Sequence, residues 1–129
     1  MEYRGKPKRV YVFGALNADA VGYLQNCSRM METAEETRKA GFAVLNPCLD
    51  LLMGLKYGNY DYQDYFDNNI VWMKAAEALI ATPGWENSSG SKKEIAIAES
   101  LGIPVFYSLA CMVTYFENQD GRVEHDKYL

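Results

Sequence analysis

A single histidine, His125, and three scattered cysteines, Cys27, Cys48 and Cys111, leave this chain short of the side chains that most metal and thiol chemistry needs. A zinc site takes several thiolates or imidazoles at short, fixed spacings, and a nucleophilic cysteine takes a base beside it. Neither pattern is present, so the cysteines read as buried structural residues, the histidine as a surface one, and no metal or disulfide framework is expected. Basic residues are also in deficit: 13 Lys and Arg against 17 Asp and Glu give a formal charge of −4. That balance argues against a nucleic acid or an anionic membrane as the main partner. No apolar run approaches the roughly 20 residues of a membrane span. The opening MEYRGKPKRVYVFG lacks the apolar stretch and cleavage site of a secretory leader. The expectation is a cytoplasmic protein with a small-molecule partner.

What remains is a chain of 129 residues, 49% of them hydrophobic, which is enough for one domain with a real core over residues 1–129 and too little for two. RVYVFG (9–14) has the form of a buried strand emptying into a turn. After it, Ala20, Leu24, Cys27, Met31 and Ala34 recur at helical spacing, with Asp19 as N-cap and Gly41 as a stop. FAVLNP (42–47) reads as a second strand closed by proline, and CLDLLMGLKYGNYDYQ as a long loop beside a site. A helix over about 60–76 carries Tyr62, Phe66, Asn69, Met73 and Ala76 on one side. EALIATPG is a third strand, about 90–101 a further helix, and IPVFYSL (103–109) a fourth strand. The tail is ambiguous between strand and helix. Strands alternating with helices predict an α/β fold: a single-domain, Rossmann- or flavodoxin-like three-layer sandwich with a four- to five-stranded, mainly parallel sheet.

Ligands of such sheets sit at the carboxyl ends of the strands, which singles out the loops over 14–19, from Pro47 onward, and over 83–90, including Gly84. Glu94 lies just beyond the last of these, on the inward stripe with Ile97, Ala98 and Leu101. A carboxylate there is costly to bury, but backbone N–H groups and the helix dipole near an N-terminus favour its anionic form. A permanently ionised, partly dry carboxylate suits nucleophilic attack on a sugar carbon that develops positive charge. The structural alternative is that Glu94 pairs with Lys92, Lys93 or a neighbouring chain. Asn69 is likewise a polar group amid apolar ones, and a buried asparagine is commonly a satisfied core group. The tyrosines at 57, 60, 62 and 65 could stack on a base or simply pack. Ser88, Ser89 and Ser91 could hold a hydroxyl or phosphate at the helix start, although capping alone explains one of them.

The spacing SSGSKKE, with Ser88, Gly90 and Glu94, resembles the S-x-G-x-x-x-E signature of the nucleoside 2-deoxyribosyltransferase superfamily, which includes 2'-deoxynucleoside 5'-phosphate N-hydrolases and small phage-borne relatives. VYVFGAL, GFAVLNP and NNIVWMKAAEALIATPGW support the resemblance over about 9–107. It implies that Glu94 attacks the anomeric carbon, that Ser88 and Gly90 hold the 5' side of the sugar, and that Gly14, Ala15, Leu16 and Asn17 line the pocket. It also implies an oligomer, at least a homodimer, formed through the helix of Trp72 and the one after Glu94, and no cofactor. Two departures stand out. Asn69 falls where the family carries its catalytic aspartate, and an amide orients a substrate but is weak as a general acid. The loop GALNADA lacks the arginine and glycines of the monophosphate hydrolases. TPGW...SSG...E is similar also to the P-G-G-x-G-T-x-x-E loop of cytokinin-activating phosphoribohydrolases. The expected activity is cleavage or transfer of the N-glycosidic bond of a nucleoside or nucleotide, with hydrolysis and transfer both open. The alternative is a non-catalytic sensor or sponge for such a ligand, or an interaction module with a vestigial pocket.

Overall fold

Short apolar runs broken by turn residues give four strands in the computed structural model, which describes residues 2–127: β1 (Arg9–Phe13), β2 (Ala43–Leu45), β3 (Ala78–Ala81) and β4 (Val105–Phe106). They pair in parallel in the order β2-β1-β3-β4. Strand alternation sends Val10 and Val12 to one face and Tyr11 and Phe13 to the other, so the central strands are apolar on both sides. Helices cover both faces. α1 (Ala20–Lys39) and α5 (Leu109–Lys127) supply Cys27, Met30, Met112, Val113 and Phe116 to the first core. α3 (Tyr62–Lys74) and α4 (Ser89–Ser100) supply Met73, Ile95 and Ala98 to the second. This is the expected three-layer, Rossmann-like architecture. The C-terminal tail joins it as the helix α5, and the side chain of His125 lies outside the described residues.

Three local expectations are corrected. The segment after β2 is not a long loop: a 3-10 turn (Pro47–Asp50) leads into the helix α2 (Leu51–Tyr57), which Gly58 stops in a left-handed conformation at φ +67°. The glycines were therefore helix punctuation rather than loop composition. Asp19 does cap α1, its Oδ1 accepting from Gly22 N at 2.8 Å, but the buried stripe of that helix is rotated. Leu24 (61% exposed) and Met31 (52%) face outward, while Asn26 and Thr37 are buried. Both polar side chains are satisfied by backbone carbonyls, Asn26 at Leu16 and Thr37 at Thr33, so burial is tolerated. The cysteines divide: Cys27 and Cys48 are buried, whereas Cys111 is exposed.

Candidate functional site

β1 and β3 are hydrogen-bonded neighbours although α1, β2, α2 and α3 lie between them in sequence. Their carboxyl ends form the switch point of the sheet, where successive connections leave to opposite sides. A cavity of about 420 Å³ opens there, large enough for a small organic ligand.

The side of the cavity after β1 is made by Gly14, Ala15, Leu16 and Asn17. Two contacts fix this loop. Asn26 Nδ2 donates to the Leu16 carbonyl at 3.3 Å. A Cβ at Gly14 would lie 2.6 Å from Thr82 Cβ, so only glycine lets β1 and β3 end this close together. We expect Gly14→Ala to lower stability by about 1–3 kcal/mol, the usual cost of forcing a methyl into a filled site, as read from urea midpoints.

The opposite wall is aromatic. Asp61 starts α3 with a capping box, its Oδ1 accepting from Asp64 N while Asp64 accepts from Asp61 N. That start aims Tyr62, Tyr65, Phe66 and Asn69 into the cavity, with Tyr60 just ahead of the helix. Tyr62 stacks on Phe66 at 5.9 Å and Tyr60 leans on Tyr65 at 5.2 Å. The third side is the start of α4. Ser88 is its N-cap, Oγ accepting from Ser91 N at 3.0 Å, and Asn87, Ser88, Ser89 and Gly90 line the cavity with Lys93 and Glu94.

A family model for a domain of unknown function, DUF4406, matches residues 8–107. The chain belongs to the DUF4406 family. No curated protein is significantly similar to it in sequence. The matched span of the DUF4406 domain runs from the start of β1 past β4 and contains every residue that lines the cavity.

Glu94 is the unusual member of this lining. Its Oε2 is buried and has no hydrogen-bond partner, and among the described residues no ion pair within 4 Å involves Glu94, Lys92 or Lys93. The Lys93 ammonium instead lies 6.0 Å over the Phe66 ring. Burial pushes the Glu94 carboxyl up to about 7, against which hydrogen bonding from the Tyr11 phenol pulls it down. The expectation of permanent ionisation is thereby corrected. Glu94 is the sixth residue of α4, past the first turn where the dipole acts, so desolvation wins. Tyr11 responds in the same sense: burial first, then the nearby Glu94 charge, raise its phenol far above the ordinary value.

A carboxyl held above its unfolded value binds its proton more tightly in the native state. Between about pH 4.5 and 7 the unfolded chain ionises first, and stability falls as pH rises. Glu94→Gln has no such proton to lose. From pH 4 to pH 8 it should lose about 3 kcal/mol less than the parent protein in paired urea titrations.

The DUF4406 domain therefore brings together Glu94, Asn69, Gly14, Ala15, Leu16, Asn17, Pro47, Ser88 and Gly90, as the sequence placed them. Gly84 stays out. At φ +93° it turns the chain off β3 into the 3-10 segment Trp85–Asn87, and the cavity is reached only from Asn87 onward. Tyr57 and Trp72 are exposed elsewhere, and Leu101, expected on the inward stripe of α4, is 52% exposed at the helix end. Tyr11, Tyr23, Met30, Asp61 and Lys93 were not among the expected site residues. For Tyr11 a signal existed: period-two alternation puts it on the same strand face as Phe13, leading to the switch point. Among the described residues no group of three or more His, Cys, Asp or Glu side chains could hold a metal.

Proposed function

We propose that this DUF4406 domain cleaves or transfers the N-glycosidic bond of a nucleoside, deoxynucleoside or 5'-monophosphate. The observation that carries the reading is Glu94: a carboxyl with an unpartnered, buried oxygen, no ion-pair partner among the described residues, and an open, ligand-sized cavity in front of it. In its ionised form Glu94 attacks the anomeric carbon, and the C–N electron pair leaves with the base, which takes a proton. Water or a second base then displaces the carboxylate from the sugar. The carboxylate itself stabilises the oxocarbenium-like charge, so the reading invokes no metal or organic cofactor. Tyr62, Tyr65 and Phe66 offer faces for the base, while Ser88 and Gly90 lie at the start of α4, where free N–H groups suit the sugar's 5' side.

The test is chromatography of each deoxynucleoside, ribonucleoside and monophosphate incubated with the protein, with and without a second free base, beside Glu94→Ala. Base release or exchange that vanishes in the variant supports the reading. A specific observation favours a second reading: Asn69, in the cavity, cannot serve as the acid that helps the base leave. A sensor or sponge on the same fold would bind a nucleoside derivative without turnover, with affinity unaffected by Glu94→Gln.

The reading includes a cytoplasmic location; no helix of the described residues is long and apolar enough to cross a membrane. It also includes a homo-oligomer. On α3, Trp72 (57% exposed) lines a shallow apolar groove with Ala43, Leu45 and Ala75. Gel filtration should give a dimer or larger at micromolar concentration, and Trp72→Glu should return it to monomer size; elution of the parent protein as a monomer would count against this contact.

A further inference from the structure

Ser91 and Glu94 are three residues apart on α4, which places their Cβ atoms about 5–6 Å apart on one side of the helix. That side is pressed on the sheet: Ser91 and Ala98 are both 0% exposed. Ser91 Oγ and Glu94 Oε2 are each buried without a hydrogen-bond partner. The Ser91 amide is already used, donating to Ser88 Oγ at 3.0 Å. A third orphaned hydroxyl, Thr82 Oγ1, belongs elsewhere. Alternation along β3 sends Thr82 to the face of Ala78 and Ile80, under α1 and α5, while Leu79 and Ala81 face α4.

Two neighbouring buried groups left without partners each carry a desolvation cost, and native proteins rarely leave such a pair unserved. A hydroxyl can both donate and accept, and an ionised carboxyl oxygen only accepts. One water satisfies both, donating to Glu94 and exchanging a hydrogen bond with Ser91. We propose that a single bound water bridges Ser91 Oγ and Glu94 Oε2, making Ser91 a positioning residue for the Glu94 carboxylate. Its catalytic consequence rests on the function proposed above; the hydration site does not.

The other groups that face Glu94 are Tyr11 from β1 and Tyr62 from α3, with Lys93 beside it on α4 and Asp61 across the cavity. Tyr11 and the bridging water favour the anion, and burial opposes it. The test is a carbon-13 NMR titration of carboxyl-labelled glutamate in the parent protein and in Ser91→Ala, with Glu94→Gln assigning the resonance. A crystal structure of the parent protein accompanies it. Expected are a water within hydrogen-bond distance of both atoms and a Glu94 ionisation constant roughly tenfold smaller in Ser91→Ala. In the base-release assay, the acid limb of kcat/KM should move to higher pH by the same factor, with its alkaline plateau retained. An unchanged titration, or a direct bond between Ser91 and Glu94 with no water, overturns the proposal. A protein that releases no base overturns the proposed function instead, while the titration still decides the water site.

Discussion

Glu94→Ala is expected to reduce base release by at least about a thousandfold, because removing a covalent nucleophile leaves only binding and positioning to accelerate the reaction. Among the described residues the side chain makes no ion pair, but its loss leaves the buried Tyr11 phenol without its partner, so the variant's folding is checked by its urea midpoint. The isosteric Glu94→Gln should be as inactive yet more stable at pH 8, since it removes an ionisation that burial disfavours. Lower activity with higher stability is the signature of a group kept for chemistry rather than for the fold. In the parent protein kcat/KM should rise with pH as the carboxyl ionises, on a limb lying above the ordinary carboxylate range and reaching toward about 7. A profile already flat from pH 5 upward would contradict the raised ionisation of Glu94, whereas activity retained in Glu94→Ala would contradict the nucleophilic role.

The second large effect is a gain. Asn69→Asp is expected to increase base release by about a hundredfold, the lower end of what a positioned general acid contributes. Asn69 already lines the cavity from α3, and Asp is nearly its isostere, so the change asks for no repacking. The pH profile should change shape as well. With asparagine it has one limb, set by Glu94. With aspartate a second, descending limb should appear where the new acid loses its proton. Should the parent protein only bind its ligand, the same substitution is the one to create turnover. No gain, with ligand binding intact, would mean that the base leaves unaided and that Asn69 serves as an orienting amide.

Much of this site could be read from residues close together in sequence. Ser88, Gly90 and Glu94 lie within one capped helix start, where local backbone geometry alone fixes their spacing. The 14–17 loop follows a strand whose apolar run is unmistakable. The misreadings share a physical origin. In α1 the apolar positions Leu24 and Met31 point outward and the polar Asn26 and Thr37 inward, because carbonyls supplied by Leu16 and Thr33 satisfy them. A hydrophobicity pattern weighs residue types and cannot know that a partner carbonyl waits inside. In α2, Gly54 and Gly58 read as loop residues, whereas one lies within a helix and the other ends it.

The sequence by itself determined the class of fold, the alternation of strands and helices, and the family to which the chain belongs, because these depend on local periodicity and on residues 8–107 as a linear pattern. It also supplied the site candidates near the ends of β1 and β3. Only the tertiary structure decided the strand order β2-β1-β3-β4, which sets Tyr11 against Glu94 although they are far apart in the chain. Only it decided the state of Glu94. A pKa depends on what surrounds a carboxyl in three dimensions, and here burial outweighs the Tyr11 hydroxyl.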